Sequence, residues 1–136
     1  KEDVQLIIEA NLVGMEISVG AYRLNDQVIV LPITEIISEN DFFDYDAKYN
    51  GKSQEITPAR LDETTIGEIH SIVKKLFQQL ELQGVCRSEF IIVKGTPHLL
   101  EVNTIPGLTP ASLIPQQVSA AGIELGEFFE SLLLKK

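Results

Sequence analysis

The chain has 136 residues, 44% hydrophobic and 23% charged, and its 20 acidic against 11 basic side chains leave a net charge of −9. That is one ordinary globular domain, long enough to bury a core without disulfides or structural metals. The acidic balance argues against nonspecific binding to nucleic acid or anionic membrane, and no apolar run approaches the roughly 20 residues of a membrane helix.

The single cysteine, Cys86, can form neither an internal disulfide nor a cysteine-based zinc site, which fits a reducing compartment. No secretory signal opens the sequence. It begins at Lys1 and runs straight into the apolar stretch Val4 to Ile8, so a piece of a longer protein is expected. Gln5 to Glu9 reads as a first short strand, and Ala10 to Gly14 as a linker. Alternation then puts Glu16, Ser18, Gly20 and Tyr22 on one face and Ile17, Val19 and Ala21 on the other; Asn25-Asp26 interrupts it before Val28 to Leu31, a hairpin pattern. Residues 38 to 60 show no sustained period and read as a long functional loop, most mobile over 41 to 55.

From Asp62 the spacing becomes helical, with Ile66, Ile69, Val73, Leu76, Phe77 and Leu80 in one stripe, Asp62 as N-cap and Gly84 as the stop. A second antiparallel pair follows, Val85 to Val93 and His98 to Val102. Beyond a turn-rich loop, Thr104 to Pro110, a short helix begins near Pro115 and closes at Gly122. A last helix from about Glu124 points Leu125, Phe128, Phe129, Leu132 and Leu133 inward. This order of elements gives a mixed α/β (α+β) fold, a largely antiparallel sheet packed by helices over residues 1–136 as a single unit.

The second strand pair concentrates the chemistry. A two-residue period aligns Arg87 with Glu89 and Glu101 with Asn103. With a three-residue loop, Lys94 to Thr96, Glu89 falls opposite Glu101 and Arg87 opposite Asn103. Facing carboxylates repel unless a cation lies between them, and two carboxylates with an amide oxygen are a hard donor set suited to Mg²⁺. The same spacing also fits a solvated polar face on which Arg87 pairs with a glutamate. His70 beside the helical stripe and His98 near the turn read as surface or boundary residues, and Cys86 as a buried inert thiol. No Ser-His-Asp order, Gly-rich phosphate loop or zinc spacing is present.

The run Glu101-Val102-Asn103-Thr104-Ile105-Pro106-Gly107-Leu108-Thr109-Pro110-Ala111-Ser112-Leu113 resembles the C-terminal signature of D-alanine–D-alanine ligases, members of the ATP-grasp superfamily. Phe42-Phe43-Asp44-Tyr45-Asp46-Ala47-Lys48-Tyr49 is similar to that family's mobile loop, and Glu9 through Glu16 to its adenosine-binding hinge. The resemblance spans essentially the whole chain. It implies the C-terminal ATP-grasp subdomain, without the ligase's N-terminal domain and first ATP-grasp subdomain.

By the same resemblance, Glu9 meets the adenine amino group with backbone near Asn11 and Leu12, Glu16 takes the ribose, and Lys48 reaches phosphate. Glu89, Glu101 and Asn103 would hold two Mg²⁺ ions, replaceable by Mn²⁺, although the family usually has aspartate where Glu89 stands. Arg87 would stabilise the acyl phosphate, Gly107 the oxyanion, Ser112 the carboxylate of the second D-alanine, and Tyr49 the selection of an amine over D-lactate. The implied parent is a cytoplasmic, homodimeric, ATP-dependent enzyme of peptidoglycan synthesis and cell-wall biogenesis. Its partners are ATP, D-alanine and its own N-terminal portion, with no nucleic acid or membrane; this piece alone is expected to be inactive. Two alternatives stand beside that reading: another ATP-grasp carboxylate–amine ligase, and a non-catalytic domain that holds nucleotide or Mg²⁺ without turnover.

Overall fold

In the computed structural model, which describes residues 5–38 and 53–133, β1 (Met15–Leu24) lies in the middle of a six-stranded, antiparallel sheet. Along one edge β1 pairs with β2 (Gln27–Val30) through its C-terminal half and with β3 (Thr34–Ser38) through its N-terminal half. Its other edge pairs with β5 (Val85–Val93), which pairs in turn with β6 (Thr96–Asn103). The β1–β2 hairpin closes as expected through Asn25 and Asp26, both at positive φ, as a primed two-residue turn requires.

The irregular reading of 38 to 60 is corrected at both ends. Thr34–Ser38 and β4 (Ser53–Ile56) form a ladder from Glu35↔Ile56 to Ser38↔Ser53. The intervening 39–52 lie outside the described residues. The expected strand Gln5 to Glu9 is absent: residues 5–13 are irregular, with Leu6, Ile7 and Ile8 exposed at 81%, 87% and 95%. An apolar, β-prone run becomes a strand only beside a partner that takes its backbone hydrogen bonds.

Helix α1 (Glu63–Gln79) is started by Asp62, whose carboxylate accepts the Thr65 N–H at 2.9 Å and is held below the usual carboxylate range by that bond. Its end differs from expectation. The turn is completed by Glu81 at φ 51, with Glu81 N–H donating to Gln78 and Leu82 N–H to Phe77, so the stop precedes Gly84. Helix α2 (Leu113–Ala120) starts two residues before Pro115, which sits in the first turn where a missing N–H costs nothing. In α3 (Leu125–Leu133) Phe128 is buried and meets Tyr22 edge-on at 5.1 Å, but Leu133 is 82% exposed at the helix end rather than inward.

The strand alternation divides the core. Ile17, Val19 and Ala21 of β1 and Cys86, Phe90 and Ile92 of β5 pack against Ile69, Val73 and Phe77 of α1. Each fully buried isoleucine, valine or phenylalanine among them contributes about 1.5–3 kcal/mol. On the opposite face Tyr22 and Leu31 pack against Ile114, Val118 and Phe128 of α2 and α3.

Candidate functional site

Cross-strand pairing aligns Ser18, Glu89 and Glu101 in one row, and Gly20, Arg87 and Asn103 in another. The expected pairing of Glu89 with Glu101 and of Arg87 with Asn103 is therefore present, but by a different route. The turn has two residues, Lys94 and Gly95, both at positive φ, and Thr96 already pairs with Val93. A two-residue turn alone would put Leu100 opposite Glu89. An extra residue, Leu100, is inserted between the pairs Phe90↔Leu99 and Glu89↔Glu101, and this β-bulge restores the match.

Away from α2 and α3, Glu9, Leu12, Glu16, Glu89, Leu99 and Glu101 line an open cleft of about 580 Å³. It gathers the hinge residues and both candidate metal carboxylates around one space with apolar and acidic walls. Asn11 is exposed in the same arm. Arg87 is joined to the cleft through Glu89: its Nε and one terminal nitrogen donate to Glu89 Oε1 at 3.1 and 2.6 Å, and both side chains are largely buried. With both bonds on Oε1, a cation would be met by Glu89 Oε2. Asn103 Oδ1 accepts the Ile105 N–H at 3.0 Å, and a carbonyl oxygen keeps a second lone pair for a metal. All of these donors are hard oxygens, so the set fits Mg²⁺. Among the described residues no group of three or more His, Cys, Asp or Glu side chains converges, so any such site rests on two carboxylates and an amide.

Gly107 and Ser112 form a separate pair at the start of α2, outside the lining of the cleft. A Cβ at Gly107 would lie 2.7 Å from Ser112 Oγ, so a side chain there would turn the Ser112 hydroxyl from its present position. Ser112 occupies the N-cap position without capping through its side chain; its hydroxyl shares a hydrogen bond with Thr109 at 2.9 Å. Lys48 and Tyr49 lie outside the described residues. His98 is exposed, His70 is partly buried, and burial pushes the Cys86 thiol up to about 11, an inert thiol as expected.

Three features escaped sequence reading. Ser18, opposite Glu89, has a buried hydroxyl with no hydrogen-bond partner. Glu35 is buried and doubly bonded by Arg60 at 2.8 and 2.6 Å, which holds its carboxyl below the usual range. Gln117 is fully buried beneath the sheet. For Gln117 a signal existed: an amide set among the apolar residues of Leu113 to Val118.

The family model of the D-ala D-ala ligase C-terminus matches residues 1–134. The chain belongs to this family. It is 53% identical to a D-alanine–D-alanine ligase of Flavobacterium johnsoniae, over 98% of this chain and 41% of that protein. A second such ligase, of Christiangramia forsetii, is 48% identical over 97% of this chain and 40% of its own length. The chain thus spans about two fifths of the curated relatives it matches.

Among solved structures, a D-alanine–D-alanine ligase from Bacillus anthracis superposes with a TM-score of 0.75 at 28% identity, covering 92% of this chain and 40% of that one. The same organism's ligase complexed with ATP superposes with a TM-score of 0.72 at 28% identity, over 90% of this chain and 39% of that one. A VanG D-Ala:D-Ser ligase from Enterococcus faecalis gives a TM-score of 0.74 at 26% identity, over 90% and 36%. The mixed α/β fold is thus that of the ATP-grasp ligases, as the sequence implied. Among the described residues no helix is long and apolar enough to cross a membrane.

Proposed function

We propose that this chain is the C-terminal ATP-grasp part of a cytoplasmic, homodimeric ligase that joins two D-alanines at the expense of ATP to supply peptidoglycan synthesis. The observation that carries this reading is the cleft in which Glu9 and Glu16 share one space with Glu89 and Glu101. Nucleotide and phosphate-side groups must meet there if the strands are to serve phosphoryl transfer.

In the proposed reaction the γ-phosphoryl group passes to the carboxylate of the first D-alanine, giving ADP and an acyl phosphate. The amine of the second D-alanine attacks the carbonyl carbon, the amine loses a proton, and phosphate leaves with the electrons of the broken C–O bond. Glu9 accepts from the adenine amino group beside the backbone of Asn11 and Leu12, and Glu16 accepts from ribose hydroxyls. Glu89, Glu101 and Asn103 would hold Mg²⁺, which would supply positive charge against that building on the phosphate oxygens. Arg87, fixed by Glu89 through two of its five N–H groups, turns the rest toward the anionic oxygens.

Gly107 brings a backbone N–H to the oxyanion, and Ser112 takes the carboxylate of the second D-alanine at the start of α2, where helix N–H groups favour an anion. Lys48 and Tyr49 would close over the substrates. Phosphate release from ATP and D-alanine, measured on the full-length protein and on this chain alone, tests the reading. Release is expected from the full-length protein only. Release that requires a different amine or acid would replace the substrate, and nucleotide binding without release would mean a binding domain.

A further inference from the structure

The edge of β1 changes partners midway, from β3 to β2, and the chain crosses that gap through Leu31-Pro32-Ile33. Leu31 N–H still donates to Gly20 C=O at 2.8 Å, but a proline has no N–H to continue the ladder. The missing rung is supplied from a helix. Gln117 accepts the Gly20 N–H on Oε1 at 2.9 Å and donates from Nε2 to the Ser18 carbonyl at 3.0 Å and to Thr34 Oγ1 at 2.9 Å.

An amide that accepts from one backbone N–H and donates to the C=O two residues before it reproduces the pairing of a neighbouring strand. It does so fully buried, where an unmade bond is costly. Gly20 makes the approach possible, because a Cβ there would fall 2.5 Å from Gln117 Oε1 and 2.6 Å from Ile114 Cδ1. The adjacent Gln116 ties the same helix to Glu55 at 2.9 Å and back to the Ala111 carbonyl at 3.1 Å. Helix α2 is therefore fixed in depth and rotation by directional bonds at its middle, five residues from Ser112.

We propose that Gln117 is a positioning residue for the second-substrate end of the site: as a substitute strand rung it sets where α2 begins, and so where Ser112 stands against Gly107. This rests on the reading that Ser112 and Gly107 serve the second D-alanine and its oxyanion. The gap at Pro32 explains why a side chain is needed, and the length of the glutamine sets the distance from helix to sheet.

Initial-rate kinetics of the full-length ligase can resolve the KM of ATP and of each D-alanine for Gln117→Met, Gln117→Asn and Ser112→Ala. Gln117→Met should raise the KM of the second D-alanine about tenfold, the loss of one well-placed hydrogen bond, with the KM of ATP within about twofold. Gln117→Asn keeps the amide but shortens the tether by one methylene. It should displace Ser112 and shift the same constant in the same direction, and it keeps the test alive if the methionine variant does not fold. Equal shifts in both KM values, or no shift in any folded Gln117 variant while Ser112→Ala raises the second-site KM, would overturn the positioning role. If Ser112→Ala itself leaves that constant unchanged, the underlying assignment of Ser112 fails instead.

Discussion

Ile17, Val19 and Phe90 alternate along their strands with Ser18, Gly20 and Glu89, so neighbouring residues of one sheet obey different physics on its two faces. Under α1 the side chains are apolar, interlocked and indifferent to direction. On the other face, beside the apolar cluster of Tyr22 and Leu31 under α2 and α3, the stretch around Gly20 and Glu89 is polar: Gln117 is placed by hydrogen bonds, Glu89 by an ion pair, and Gly20 by the lack of a Cβ. A volume change should therefore damage the first face, whereas a change of charge or bonding at constant volume should damage only the second.

The largest effect is expected beneath α1. Phe77→Ala should lose about 3–5 kcal/mol of stability in chemical denaturation, because its ring is fully buried and the cavity cannot be refilled by solvent. A loss below 1 kcal/mol would mean that α1 is loosely docked. The isosteric Glu101→Gln, on the exposed side, should leave stability within about 0.5 kcal/mol. In the full-length ligase it should lower turnover about a hundredfold, near 2.7 kcal/mol on the barrier, and raise the Mg²⁺ requirement. An unchanged Mg²⁺ dependence would remove Glu101 from the metal set.

Smaller effects probe the margin of the apolar face. His70 is partly buried beside α1's stripe, its Nε2 has no hydrogen-bond partner, and burial, then Lys74 one turn on, hold its imidazole below the ordinary value. The unfolded chain thus binds the proton more readily, and stability should fall as pH drops through about 6.5 toward the lower folded value. His70→Leu should flatten the unfolding midpoint between pH 8 and 5.5, and a slope equal to wild type would place the titration elsewhere. Cys86, buried with its thiol raised to about 11, should react with a thiol reagent only as fast as the domain opens. Immediate labelling would show a breach in that core.

The division of faces was legible in the sequence because a period of two residues needs no tertiary knowledge, and α1 was legible from its stripe and Asp62. What the sequence hid was compensation. At Lys94-Gly95 a shorter turn and the bulge at Leu100 cancel, so the register of Glu89 with Glu101 follows from two offsetting irregularities that no alternation count separates. Gln5 to Glu9 has the composition of a strand, but pairing is a property of two segments. Gln117 stands as an amide among apolar helical residues, but its bonds run to positions 83 to 99 residues away, so no local pattern names its partners. The signature around Asn103 suggested the proposed roles where geometry alone left two readings open.

Among the described residues β6 ends the sheet, and an unpaired strand edge is where a foreign strand adds on. Pro97 withholds one N–H from such pairing, and the bulge at Leu100 twists the strand out of the flat geometry that stacking requires. The irregularity that aims Glu101 therefore also discourages one copy of the chain from extending its sheet into another, so straightening β6 would risk aggregation as well as a misplaced carboxylate.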